Sequence, residues 1–256
     1  MRSFIAFLRK EILDQVRSGK AAVIGILFIL FGIMNPAIAK MTPWLLEMMA
    51  DSLAESGMSI TLGEVTALDS WMQFFKNMPL ALIAFILLQS SIFTKEYSSA
   101  TLVLSLTKGL ERYKVVVSKA LILTVLFSIG YWICFGITYG YTAYFWDNSI
   151  VSSLIPAVIY WWLFGMLTIA VMTLFSCICT TNSAVLLCTG GFVLVSYVIG
   201  LFPKLCKYTP TYLMSGSSLI YGLSEASDYV SAVIITAVMI LICIALSIPV
   251  FNKKQI

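Results

Sequence analysis

Polar and apolar positions alternate at helical spacing over the first twenty residues and then give way to long runs without any charge. Phe4, Leu8, Ile12 and Val16 recur every fourth position with Ile5 and Leu13 beside them, while Arg9, Lys10, Asp14 and Arg17 take the other side. That spacing predicts an amphipathic helix over 3–19 that lies on a membrane surface; the plainer alternative is a continuation of the first span. Five stretches then lack Asp, Glu, Lys and Arg altogether, at 21–39, 77–94, 120–146, 148–203 and 229–252. A bilayer crossing takes about 20 apolar residues, so the fourth stretch holds two crossings, divided at the polar Ser176-Cys-Ile-Cys-Thr-Thr-Asn-Ser183. The pattern predicts six spans.

Between the first two spans, 42–76 carries Trp44, Leu45, Met48, Met49 and Leu53 interleaved with Glu47, Asp51 and Glu55. After Gly57 a similar set follows: Leu62, Val65, Leu68, Trp71 and Phe75 with Glu64 and Asp69. Two short amphipathic helices are expected there. Their acids form either the solvated face of a structural lid or a cap that draws in cationic substrates. Ala37-Ile38-Ala39 has the look of a signal-peptidase site, but the apolar run before it is longer than a signal peptide's core of about 7–15 residues.

Composition supports the membrane reading, with 60% hydrophobic and 11% charged residues. Charge adds an orientation. If the N-terminus is cytoplasmic, twelve of the sixteen basic residues fall on the cytoplasmic side, leaving Lys40, Lys76, Lys204 and Lys207 outside with eight of the twelve acids. The excess of Lys and Arg then places both termini in the cytoplasm of a plasma-membrane protein. Segment 95–119 becomes an intracellular connection and 203–228 an outer loop. Tyr141, Tyr144, Phe145, Trp146, Tyr160, Trp161 and Trp162 gather near the outer ends of the third and fourth spans, as an interfacial belt or as a substrate cage. Gly190-Gly191 in the fifth span permits close helix approach.

Several chemistries have no residues to carry them. There is no Gly-x-x-x-x-Gly-Lys-Ser/Thr loop for ATP phosphates and no histidine, and the charge-free runs hold no acid. We expect no catalysis, no resident cofactor and no metal in this chain, and no nucleic acid as partner. An ion-coupled carrier needs ionisable groups in mid-membrane, so an energy source on another chain is the better expectation. The six cysteines form no Cys-x-x-Cys motif and read as apolar thiols, with Cys206 alone facing outward.

Segment 95–119 reads KEYSSATLVLSLTKGLERYKVVVSK, with Leu102, Leu106 and Leu110 on one stripe and Glu111, Arg112, Lys114 and Lys119 left for solvent, headgroups or a partner. It resembles the cytoplasmic coupling region of the type-2 ABC transporter permeases, in which a Glu closes the second span, a Gly-Thr-Leu triplet follows, and an Arg and then a Lys precede the third. Here those positions are Glu96, Ala100-Thr101-Leu102, Arg112 and Lys119, with Ala100 in place of glycine and Lys108-Gly109-Leu110 in place of a proline-containing turn. Leu8-Arg9-Lys10-Glu11 with Arg17 resembles the family's elbow helix. Tyr208-Thr209-Pro210 with Tyr212-Leu213 resembles the segment before its last span, where short re-entrant helices would sit near 202–221.

The resemblance implies an all-α, six-span exporter subunit with an elbow helix and a coupling helix between spans two and three. It also implies a second permease as partner and a separate ATPase subunit carrying ATP and Mg. Glu96, Thr101, Leu102, Arg112 and Lys119 would take the ATPase's motion, and the second and fifth spans would line the path. Gln89, Ser90 and Ser91, with Ser196 and Tyr197, are the polar groups of that path. A lipid-like molecule or an amphipathic peptide antibiotic is the implied cargo. The alternatives are an ion-coupled carrier and a membrane scaffold or assembly protein.

Overall fold

The computed structural model describes residues 2–55, 64–98, 107 and 109–254. Among them every regular element is helical: α1 (Arg2–Arg17), α2 (Lys20–Glu55), α3 (Ala67–Gln89), α4 (Ser91–Ser98), α5 (Arg112–Phe145), α6 (Leu154–Ile178), α7 (Asn182–Gly200), α8 (Gly216–Ile220) and α9 (Val230–Lys253), with short 3-10 turns between the later ones. Six stretches are long and apolar enough to cross a membrane: Lys20–Leu45, Ala67–Tyr97, Arg112–Phe145, Leu154–Ile178, Asn182–Gly200 and Ala226–Lys253. The chain is a multi-pass, all-helical membrane protein.

The segment 42–76 departs from expectation. Its first amphipathic stretch is the far end of α2, which continues through Pro36 and Pro43 to Glu55, and its second is the first turns of α3. Proline is tolerated inside a membrane helix when another group satisfies the carbonyl it strands. Pro36 has no N–H for the Gly32 carbonyl, and the Thr138 hydroxyl of α5 donates to that oxygen at 3.1 Å. The same hydroxyl accepts from Asn35 Nδ2 at 3.1 Å, and Asn35 Oδ1 accepts from Asn77 of α3 at 2.8 Å. Gly32 also lets the helices touch, because a Cβ there would lie 3.0 Å from Ile137. At the start of α3, Asp69 reaches back to the Thr66 N–H at 2.9 Å, fixing where the helix begins.

Aromatic rings fill the interior. Phe28, Phe85, Phe127, Tyr131, Trp71, Phe74 and Trp161 are all 1% exposed or less, and they meet edge to face, tilted or, for Tyr131 on Trp161, stacked, in one continuous row from α2 and α3 across α5 to α6. Gly165 opens the space for the Phe127 ring, which a Cβ would strike. Among the described spans α7 and the last one are the least covered by the rest of the chain. The turn expected at 176–183 is present, with α6 ending at Ile178 and α7 starting at Asn182. The segment 203–228 is more ordered than a loop. Its turns at Cys206–Tyr208 and Pro210–Met214 and the short α8 fold back onto the bundle, burying Pro210, Leu213, Leu219 and Ile220.

Candidate functional site

Three helix ends meet beside the 95–111 connection, and charge holds them together. Lys119, about two turns into α5, has a side chain 1% exposed, and its ammonium meets Glu11 Oε2 at 2.8 Å and Glu96 Oε2 at 2.9 Å. The ammonium donates to Glu11 and to the Ile92 carbonyl, the latter at 3.0 Å, while Glu96 Oε2 is held by charge and accepts no hydrogen bond. The rings of Phe7 and Phe93 close over it, with centroids 5.8 and 5.5 Å away. Lys10 bridges the same two carboxylates from the rim, at 2.8 Å to Glu11 and in a short contact to Glu96. Burial pulls the Lys10 ammonium down, but the hydrogen bonds to Glu11 and Glu96 outweigh it and hold the group above its ordinary value of 10.5.

The cluster inverts the usual amphipathic logic of α1. Phe7, Glu11 and Gln15, spaced every fourth residue, form the face against the bundle, while Ile5, Ile12, Leu13 and Val16 are exposed. Gln15 and Gln89 of α3 exchange two amide hydrogen bonds at 3.1 and 2.9 Å. At Ser18-Gly19 the chain turns from α1 into α2, with Gly19 in the left-handed region at φ 73°, where a Cβ would be strained. A helix with a polar inner face and an apolar outer one suits a bilayer surface, where the outer face meets lipid.

Two basic side chains extend the joint to the remaining helices at this end. The Arg112 guanidinium donates to the carbonyls of Phe251, Asn252 and Lys254 at 3.2, 3.1 and 2.6 Å, which caps the C-terminus of α9. Lys254 in turn donates to Cys177 O at 3.0 Å and Cys179 O at 2.7 Å, capping α6. Tyr97 lies under the Lys254 ammonium at 4.0 Å and gives its own proton to Ser176 O at 3.0 Å. Burial draws the Lys254 ammonium below its ordinary value. The carbonyls left over at each helix end thus find a cation on another helix.

The residues expected to face a partner are placed differently from one another. Glu96 and Lys119 face each other inside the protein, and Arg112 is spent on helix α9, so neither cation is left for solvent as the linear pattern suggested. Thr101 and Leu102 lie outside the described residues, as does Ala100. Gly109, expected to permit a turn, has φ 84°. Glu111 and Lys114 pair on the surface at 2.6 Å.

The polar groups expected along a path also divide. Gln89 is buried against Gln15, Ser90 bonds the Leu87 carbonyl, and Ser91 accepts from Lys20 at 3.0 Å. Ser196 gives its proton to Phe192 O at 2.8 Å. Tyr197 alone among them lines an open groove of about 480 Å³, walled by α3 and α7 and floored by Trp161 and Phe164 of α6. The second and fifth spans do face each other across this space, which is apolar almost throughout.

Lys10, Glu11 and Gln15 were not singled out as individual site residues by their sequence pattern, although Glu11 on a helix rich in apolar positions was visible. What hid them was the identity of the partner face. No protein-family model matches the chain, and neither does any curated protein.

Proposed function

We propose that the chain is the permease subunit of an ATP-driven exporter, working with an ATPase on a separate chain and with a second permease. In this reading both termini are cytoplasmic, α1 is the elbow helix, and 95–119 receives the ATPase's motion. The observation that carries it is the convergence on Lys119. A push on the connection between α4 and α5 reaches the second span through Glu96, the surface helix through Glu11 and Lys10, and the third span through Lys119 itself. Arg112 and Lys254 carry it on to the sixth and fourth spans. Glu96, Arg112 and Lys119 would then transmit force from inside the protein, and contact with the ATPase would fall to neighbouring residues, Thr101 and Leu102 among them. The groove between α3 and α7 would be the path for an apolar or amphipathic cargo.

Co-purification from native membranes tests this directly. A stoichiometric soluble ATPase whose ATP hydrolysis rises with this chain in vesicles is expected; a chain that copurifies with no ATPase, and whose deletion leaves ATP-dependent export intact, refutes it.

One observation favours a second reading, an ion-coupled carrier. The runs between the charged segments carry no Asp, Glu, Lys or Arg, yet Lys119 sits within a membrane helix and holds two shielded carboxylates, the kind of group a transported proton needs. Transport that follows an imposed pH gradient without ATP would decide for it.

A further inference from the structure

Tyr197 lines the apolar groove between α3 and α7 and lines a second cavity as well. This second space, of about 460 Å³, is lined by the hydroxyls of Thr209, Thr211, Tyr212, Ser215, Ser218 and Tyr229. Each volume falls within the range of about 300–1,000 Å³ that small-molecule sites occupy. We propose that the two are halves of one site for a single amphiphile, whose tail lies in the groove and whose head, bearing hydrogen-bond donors and no negative charge, sits among the hydroxyls. The proposal rests on the permease reading for its purpose and names the class of cargo.

The head-group preference follows from where the hydroxyl protons go. Thr209 donates to Cys206 O at 2.8 Å, Thr211 to Ser196 O at 3.2 Å, Ser215 to Tyr212 O, and Tyr229 to Ser215 O at 3.0 Å. A hydroxyl has one proton and two lone pairs, so these four oxygens have acceptor capacity left and no donor to offer, while Tyr212 and Ser218 keep a proton to give. Among the described residues no charged side chain lines the cavity. A phosphate or carboxylate would find two hydroxyl donors but no cation to balance its charge, whereas an ammonium or a sugar hydroxyl can donate to the four spare acceptors. Tyr212 and Tyr229 stack with centroids 4.5 Å apart, and Tyr160 stacks on Tyr229 at 5.2 Å, so Tyr229 is covered and the outer face of Tyr212 is the flat surface left for an ammonium or a sugar ring.

In the groove Leu82, Ile86, Leu186, Val193 and Leu194 offer only hydrocarbon. Tyr197, apolar on its ring and polar at its tip, suits the boundary between tail and head.

The test uses the full chain in nanodiscs without ATP or ATPase, and three photoreactive probes with the same dodecyl tail and an amine, a maltoside or a phosphate head. Cross-links are mapped by mass spectrometry. The amine or the maltoside probe, or both, should label α7 around Tyr197 together with 209–218, and the phosphate probe about tenfold less; which of the two labels better identifies the donor as ammonium or sugar. Thr209→Val should weaken that labelling about fivefold, the worth of one hydrogen bond of roughly 1 kcal/mol. Leu186→Trp, which fills the groove far from the hydroxyls, should abolish labelling at both places. Equal labelling by the phosphate probe overturns the head-group assignment, and head-segment labelling that survives Leu186→Trp shows two separate sites and overturns the single-ligand proposal. Because no ATPase is present, the site can hold while coupling to ATP fails, and the reverse.

Discussion

Replacing Lys119 by methionine keeps the length of the side chain and removes its charge. Two oxygens then lose their donor, Glu11 Oε2 and the Ile92 carbonyl, at 2.8 and 3.0 Å, and Glu96 Oε2 loses the positive charge 2.9 Å away. Glu11 is 3% exposed and Glu96 13%, so water cannot replace what is lost, and Lys10 remains as the only cation bonded to both carboxylates among the described contacts. Breaking a buried ion pair from one side costs about 3–5 kcal/mol, and exposed pairs are worth roughly 0–1 kcal/mol. Lys119→Met should therefore destabilise the protein by about 3–5 kcal/mol. Adding Glu11→Gln and Glu96→Gln should recover much of that, because the uncompensated charges go with their partner. The assay is reversible unfolding in mixed micelles, run as a double-mutant cycle of Lys119→Met with Glu11→Gln. A coupling energy above about 2 kcal/mol is expected. A value below about 0.5 kcal/mol, as for a surface pair, would refute the shielded joint.

Arg112→Gln removes a guanidinium from three carbonyls at the end of α9; amide hydrogen exchange over the last turn of that helix should accelerate about tenfold, for a loss of roughly 1.5 kcal/mol, with the start of the helix unchanged. Because Lys10 is held above its ordinary 10.5, its contribution to docking α1 is complete below about that pH and is lost as pH rises through the higher docked value. Protease access to the Ser18-Gly19 turn should accordingly rise only above about pH 10.5 and be flat between pH 6 and 9. Gly165→Ala drives a methyl into Phe127 and should cost about 1–3 kcal/mol, whereas Gly136→Ala, with nothing within 4 Å of its Cβ, should leave unfolding unchanged or slightly harder.

The spans were legible because the bilayer imposes a length and an apolar composition that no loop of this chain meets, and the same reasoning found the break at 176–183. The surface helix was legible from Ile5, Ile12 and Val16. What it holds was not, since Phe7, Glu11 and Gln15 gain meaning only opposite Lys119 and Gln89, more than seventy residues away. Lys119 read as part of a charged connection because Arg112 and Lys114 precede it, and about two turns of helix are enough to carry it inside. Pro43 reads as a place to end a helix in water; in α2 the helix runs on through it to Glu55. The groove was expected from resemblance, and of the polar groups assigned to it only Tyr197 lies there, because period alone does not say which face of α3 meets α1.

The Thr138 hydroxyl on the carbonyl stranded by Pro36 has a consequence for how this sequence can change. The dependence runs one way: Thr138→Val leaves a bare Gly32 oxygen in hydrocarbon and takes the acceptor from Asn35, whereas Pro36→Ala supplies an N–H to a carbonyl that still has a second lone pair. Loss of the threonine alone is therefore the costly step, and prior loss of the proline relieves only its carbonyl, with the buried Asn35 amide still needing an acceptor. Lineages that keep the proline should keep a hydroxyl at 138, and valine should appear there only where both Pro36 and Asn35 have already changed.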